Sequence, residues 1–385
     1  MIKILLIDDD QDMLMLLKQG LSNLGFPIIT AASAEEGQRL FLTEDFSILI
    51  TDWMMPETNG IDFIRWVRQQ KRDSYTYIIL LTAKTDKEAL VEGLDAGANE
   101  FVSKPVLNFS ELRLRVSNGA RIINLEQSLL SRNNELNSLY KQIKNDVVAA
   151  ARVQKSLLPN PELRIPGISF SQYFRPSEDL AGDIFNIFPI SDHEIAFYLA
   201  DVSGHGVAAS LLSVMISNVL TPGRADIDLK NPGSVAEALN KRFQLNMETQ
   251  QYFTLSYGVL NLPDRSFQYV SAGHSGILKI SGESVNLLQA TGTAIGLFPD
   301  TSYINESMTL LPGDRLLFFS DGLTDVKNSQ NAYLNSDKLI SELSNCTGST
   351  DRQISCLIDL ALMWGGNVAE DDISILAVEI PGLVI

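Results

Sequence analysis

A chain of 385 residues is too long for one ordinary hydrophobic core, so two or three domains are expected. Its composition, 45% apolar and 20% charged with no run of 18 apolar residues, is that of a soluble globular protein without a transmembrane helix or a membrane partner. A net charge of −17 argues against nucleic acid as a partner, because no phosphate-neutralising surface is on offer.

The charge is unevenly spread. Residues 1–120 carry 12 basic and 18 acidic side chains, residues 121–158 carry 6 and 3, and residues 159–385 carry 12 and 26. Only the middle stretch is net basic. The apolar segment at the N-terminus runs straight into Asp8, Asp9 and Asp10, too soon for a signal peptide, which points to the cytoplasm. Two cysteines, Cys346 and Cys356, are expected to stay reduced there.

Residues 1–118 alternate strand and helix. Apolar runs at 3–7, 26–30, 47–51 and 77–81, with a short one at 100–102, read as strands. Amphipathic stretches lie between them. Ser33 with Glu36 forms a capping box, and Thr85 with Glu88 is a second cap. Continuous apolar strands alternating with helices imply a doubly wound parallel sheet of five strands, covered on both faces. Ligands in such a sheet bind at the carboxyl ends of the strands. There the sequence places Asp8, Asp9, Asp52, Thr82 and Lys104. Three converging carboxylates repel one another unless a cation sits among them, and oxygen ligands alone suit Mg²⁺. A lysine and a hydroxyl beside them supply donors to an anion, so the set describes an aspartate that accepts a phosphoryl group.

This region resembles the response-regulator receiver domain. The matching motifs are Ile7-Asp8-Asp9, Asp52-Trp53-Met54-Met55-Pro56 with Gly60, Leu81-Thr82-Ala83, and Phe101-Val102-Ser103-Lys104-Pro105. The resemblance implies Asp52 as phosphoacceptor. Asp9, Asp52 and the Met54 carbonyl would hold Mg²⁺ with help from Asp8. Thr82 and Lys104 would contact the phosphoryl group, and Phe101 would be the aromatic switch position.

Residues 119–158 read as one long helix. Ile122, Leu125, Leu129, Leu136, Leu139, Ile143, Ala150, Val153 and Leu157 fall on a heptad, interrupted by polar Arg132 and Asp146. From 121 to Pro159 there is no Gly or Pro, so the helix would span about 57 Å. A narrow apolar seam of that length is expected to pair in a coiled coil, with a second copy or with a neighbouring domain. A solvated spacer is the plainer alternative.

Residues 159–385 open with Pro159, Pro161 and Pro166. Strands are expected at 168–175, 184–189, 194–202, 253–262, 267–272, 276–280, 285–288, 315–319 and 373–380. Helices are expected at 207–220, 235–247, 336–345 and 352–364. This order suggests packed sheets flanked by helices. Asp183, Asp201, Asp321, Asp371 and Asp372 sit at strand boundaries, mostly beside small residues. Such aspartates can hold two hard divalent ions, which together clamp a phosphoryl group. Three histidines in the whole chain make a histidine-based zinc site a poor fit. Asp201, Ser203 and His205 are too close in sequence to form a hydrolase triad. Gly204-His205-Gly206 is too short for a dinucleotide fingerprint, and by itself reads equally as a plain turn.

The ordered motifs resemble the metal-dependent protein phosphatase (PPM) family, in the bacterial branch of the SpoIIE and RsbU regulators. They are Ala151 to Pro159 (ARVQKSLLP), Ala181-Gly182-Asp183, Leu199 to Gly206 (LADVSGHG), Ala272-Gly273-His274, Ser320 to Asp325 (SDGLTD), and Asp371-Asp372-Ile373-Ser374. The resemblance implies an α-β-β-α sandwich with Asp201 bridging two Mn²⁺ or Mg²⁺ ions. Asp183 and the Val202 carbonyl would serve one ion, and Asp321 and Asp371 the other, with Asp372 as a further ligand. Two positions depart from the pattern: Asn186 stands where a second acidic residue is usual, and Ser275 where proline is usual.

The combined expectation is a receiver at 1–118, a linker helix at 119–158 and a phosphatase at 159–385. Its implied partners are a sensor histidine kinase, a phosphoserine or phosphothreonine protein (in this branch commonly a STAS-type anti-sigma antagonist) and a second copy through the linker. The competing reading is a non-catalytic adaptor, disfavoured by the complete set of aspartates. A DNA-binding output is the remotest, since no basic helix-turn-helix stretch is present.

Overall fold

The computed structural model describes residues 2–71, 75–83, 87–106, 109–224, 227–244, 251–366 and 371–380, without the side chains of residues 87–90. It divides into two compact units, Met1–Lys141 and Gln142–Ile385. Each is taken by itself.

The first unit alternates strand and helix, as the sequence predicts. It runs β1 (Ile4–Ile7), α1 (Gln11–Leu21), β2 (Ile28–Ala31), α2 (Ala34–Thr43), β3 (Ile48–Asp52), α3 (Gly60–Gln69), β4 (Tyr77–Thr82), α4 (Lys87–Asp95) and β5 (Glu100–Ser103). All neighbours pair in parallel, in the order β2-β1-β3-β4-β5. The central strands are buried at every position because both faces are covered. Leu5, Leu49, Ile78 and Leu80 pack on one side with Phe41, Phe63 and Ile64, while Ile4, Leu6, Ile48, Ile50 and Ile79 pack on the other with Leu14, Leu17 and Val116. Ser33 caps α2 through the Glu36 N–H, and the Glu36 carboxylate reaches back to the Ala32 N–H, one residue before the cap, so the expected cap forms with its return bond displaced by one position. The second cap, at Thr85, lies outside the described residues.

Helix α5 (Phe109–Lys155) is longer than the sequence pattern suggests. It starts twelve residues before Arg121, because Leu112, Val116, Ala120 and Ile123 bury against the first unit's sheet and the same helix then continues. Its 47 residues span about 70 Å. Beyond Ile123 the seam residues Leu125, Leu129, Leu136, Leu139 and Ile143 are each at least half exposed within one chain.

The second unit is a sandwich of two antiparallel sheets. Its elements are β6 (Ser169–Arg175), β7 (Ile184–Pro189), β8 (Glu194–Val202), α6 (Gly206–Val219), α7 (Pro232–Arg242), β9 (Phe253–Asn261), β10 (Ser266–Ala272), β11 (Ile277–Ser281), β12 (Ser284–Leu288), β13 (Glu306–Thr309), β14 (Arg315–Phe319), α8 (Ser336–Asn345), α9 (Thr350–Gly365) and β15 (Ile373–Glu379). One sheet is ordered β13-β10-β9-β8-β7, the other β12-β11-β14-β15-β6. Between them lie Phe185, Phe197, Leu199, Phe267, Phe318, Leu376 and Val378. Helices α6 and α7 cover the outer face of the first sheet through Ala209, Ile216, Val235 and Leu239. Helices α8 and α9 cover the second through Leu339, Leu343 and Leu357. The result is the α-β-β-α sandwich. Three differences stand out. Strand β13 is absent from the sequence reading, because its four residues ESMT hold a single apolar side chain, Met308, and form an edge with no apolar alternation. Helix α7 ends at Arg242, and the expected end at Met247 lies outside the described residues. Cys346 and Cys356 form a disulfide, contrary to the expectation of two free thiols, because the end of α8 and the first half of α9 bring their Cα atoms to 6.6 Å.

Candidate functional sites

In the first unit, the parallel strand order brings the predicted residues together at one rim. β1 ends before Asp8 and Asp9, β3 ends on Asp52, β4 ends on Thr82, and Lys104 follows β5. Asp8, Asp9 and Asp52 each offer a carboxylate oxygen within 4.8 Å of the others. Lys104 Nζ lies 2.8 Å from Asp8 Oδ2 and 2.9 Å from Asp52 Oδ1. Asp52 Oδ1 also accepts the Trp53 N–H at 2.8 Å. Burial pushes the Asp52 carboxyl above the usual carboxylate range, and Lys104 only partly opposes this. Burial likewise works against the charge on Lys104, but the hydrogen bonds it donates to Asp8 and Asp52 outweigh it and hold its pKa above the ordinary value. A lysine is thus a cation shared between two of three clustered carboxylates, which leaves the cluster anionic and suited to one hard divalent ion. Thr82 is fully buried at the rim, Met54 is exposed beside it, and Phe101 is partly buried against the core. Gly60 is required by packing: a Cβ there would lie 1.9 Å from the Asp52 carbonyl oxygen.

In the second unit, five aspartates come from two antiparallel strand pairs, one in each sheet. Ile184 on β7 pairs with Ala200 on β8, which sets Asp183 beside Asp201. Phe319 on β14 pairs with Ile375 on β15, which sets Asp321 near Asp371 and Asp372. Both pairs open at the same end of the sandwich. Asp201, Asp321 and Asp371 line a cavity of about 520 Å³, joined by Ser177, Glu178, Val202, Ser203, His205 and Tyr252. His205 sits on the turn between Gly204 and Gly206, both at positive φ, and its Nδ1 is 3.5 Å from Glu178 Oε1. Asp183 is 1% exposed, and its Oδ2 has no hydrogen-bond partner.

The electrostatics of these aspartates favour a cation beside them. Burial first, then the Asp201 charge, lifts Asp183 well above the carboxylate range. Burial, then Asp321 and Asp371, does the same to Asp201. Asp321 and Asp371 are raised for the same reasons. Buried carboxylates that raise one another, with an orphaned oxygen among them, fit divalent metal.

Asp372 is placed differently from its neighbour. Its Oδ1 accepts from the Ser177 N–H (2.7 Å) and hydroxyl (3.0 Å), and its Oδ2 from the Gly182 N–H (2.7 Å). Those bonds occupy the carboxylate with holding the 177–183 loop. Asn186 faces the helix end instead of the cavity, donating to the Leu157 carbonyl at 3.1 Å. His274 is buried and lies outside the cavity lining, with neither ring nitrogen partnered and its pKa pushed down to about 3 by burial. Glu178 and Tyr252 line the cavity without having been singled out in the sequence, where nothing separates them from ordinary polar surface residues.

Comparison with known proteins follows the same division. The response regulator receiver domain family matches residues 4–117, and the family described as Stage II sporulation protein E (SpoIIE) matches residues 191–381. Chemotaxis protein CheY1 of Helicobacter pylori is 36% identical over 105 residues, which are 27% of this chain and 85% of CheY1. The chain belongs to the response regulators. Its receiver domain is followed by a SpoIIE-type domain of PP2C fold. Phosphoserine phosphatase RsbP of Bacillus subtilis is 26% identical over 187 residues, 47% of this chain and 46% of RsbP, so the chain spans about half of that relative's length. The solved SiaA-PP2C domain of Pseudomonas aeruginosa superposes with a TM-score of 0.55 at 18% identity, over 63% of this chain and 98% of that one. The receiver and PP2C domains therefore carry the two carboxylate clusters, one each. Among the described residues no helix is long and apolar enough to cross a membrane.

Proposed function

We propose that this response regulator is a metal-dependent protein serine/threonine phosphatase controlled by phosphorylation of Asp52. The observation that carries the reading is the convergence of Asp201, Asp321 and Asp371 on one open cavity, with buried Asp183 behind them. Asp201 would bridge two Mn²⁺ or Mg²⁺ ions, Asp183 and the Val202 carbonyl would complete one shell, and Asp321 and Asp371 the other. Bound there, the ions would supply an activated water and neutralise the phosphoryl oxygens. Asp372 is a support in this scheme, since its oxygens are already engaged by Ser177 and Gly182. Glu178, His205 and Tyr252 line the cavity and are placed to meet the phosphorylated residue.

In the receiver, Mg²⁺ held by Asp9, Asp52 and the Met54 carbonyl, with Asp8 beside them, would offset the phosphoryl charge. Asp52 accepts the phosphoryl group from a sensor histidine kinase, Thr82 and Lys104 contact it, and Phe101 responds. The heptad on α5 supports a parallel homodimer, with Arg132 setting register. The substrate suggested by the SpoIIE-type branch is a phosphorylated STAS-type anti-sigma antagonist, and the cytoplasm is the compartment.

The deciding experiment follows phosphate release from a phosphoserine protein with and without Mn²⁺. Release should require Mn²⁺ and fall at least a hundredfold in Asp201→Ala. Release that is indifferent to both metal and Asp201 would remove the phosphatase reading.

A further inference from the structure

The motif ARVQKSLLP contains a residue that the metal chemistry does not use. Gln154 lies in the last turn of α5, yet it is only 3% exposed. Its side-chain amide is fully engaged. Nε2 donates to the Ala181 carbonyl (2.6 Å) and to Ser213 Oγ (2.8 Å), and Oε1 accepts the Ala181 N–H (3.1 Å). One side chain thus holds both backbone groups of a residue two positions before Asp183. A second tie lies three positions after Asp183, where Asn186 Nδ2 donates to the Leu157 carbonyl just beyond the helix. An acidic residue at 186 could not make that bond in its ionised form, since a carboxylate only accepts. On the far side of the loop, Asp372 accepts the Gly182 N–H.

We propose that Gln154 and Asn186 are positioning residues that bracket Asp183 and fix its carboxylate to the end of α5. The geometry of this ligand is then set by the helix end as well as by the sheet. A buried amide that grips a peptide on both sides resists displacement along either direction of the chain, because a shift breaks two bonds whose partners have no water to replace them. Any movement of the last turn of α5 is therefore transmitted to Ala181–Asp183 through direct hydrogen bonds. The inference rests on the proposed metal site and adds to it the element that tunes it.

The test is calorimetric titration of the full chain with Mn²⁺. Asp201→Ala identifies which binding step belongs to the PP2C domain. Gln154→Met keeps the length of the side chain and removes all three bonds, and it should weaken that step about tenfold or more. Gln154→Glu, which cannot donate to the Ala181 carbonyl when ionised, should weaken it too. Ser213→Ala removes a bond from the same amide but leaves the grip on Ala181, so its affinity should stay within about twofold of wild type. A general loss of buried hydrogen bonding would instead weaken Ser213→Ala alongside Gln154→Met. Wild-type affinity in folded Gln154→Met and Gln154→Glu would overturn the proposal. Should both variants fail to fold, Asn186→Ala is titrated in their place, and unchanged affinity there overturns it. If Asp201→Ala loses no binding step, the metal-site reading itself falls and the positioning role with it.

Discussion

At the scale of the residue, both sites are clusters of like charge held by burial, and their behaviour with pH follows from that. Asp183 and Asp201 are pushed up by burial first and by neighbouring carboxylates second. Without metal, the folded chain therefore keeps protons at a pH where the unfolded chain has released them. Stability of the metal-free protein then falls as pH rises from the ordinary carboxylate range towards the raised values. Metal displaces those protons, so its benefit grows in the same direction. The rise in Tm on adding Mn²⁺ should be larger at pH 7.5 than at pH 5.5, measured by thermal denaturation, and Asp201→Ala should flatten the difference. In the receiver, Lys104 stands between Asp8 and Asp52. Lys104→Met leaves those two carboxylates facing each other and should cost about 2 kcal/mol in metal-free buffer. Mg²⁺ should restore part of it, as read from urea unfolding with and without the ion.

At the scale of the element, α5 is the part whose sequence says most about association. Its seam from Leu125 to Ile143 is exposed along one chain, whereas Leu112, Val116, Ala120 and Ile123 are buried in the receiver core. An isolated helix gains nothing from a heptad of leucines in water, so the seam is expected to bury against a second copy. Sedimentation should find a dimer at tens of micromolar, roughly where weak pairs form. Leu136→Lys with Leu139→Lys should shift it to monomer while leaving each domain's unfolding transition in place. A wild-type chain that stays monomeric would remove the dimer. The heptad was legible because it is periodic. The start of the helix at Phe109 was not, because Gly119 interrupts the pattern just before Arg121, and only the packing of Leu112 and Val116 on the receiver sheet shows the helix running through it. Strand β13 was hidden for the opposite reason, being short, with Met308 its one apolar residue, and recognisable only through its pairing with β10.

At the scale of the whole molecule, the proposal joins a phosphorylatable receiver to a metal-dependent output. A small phosphodonor should change the phosphatase rate of wild type severalfold in either direction and leave Asp52→Ala unmoved, with the Mn²⁺ affinity of the PP2C domain unchanged by that substitution. Equal rates with and without donor in the wild type would sink the coupling. The sequence by itself determined the order of the elements and the identity of both acidic sets. Strand ends and glycine neighbours are local signals, and a doubly wound sheet can gather its carboxyl ends at only one rim. Which aspartate does what was decided by tertiary structure. Asp371 and Asp372 are adjacent and chemically identical, yet one faces the cavity and the other is spent on the Ser177 and Gly182 backbone. Gln154 likewise looks like one more polar position on a long helix until the fold brings Ala181 against it. Partners so far apart in sequence leave no periodic trace, and only the packed chain shows which hydrogen bonds a buried side chain has left to give.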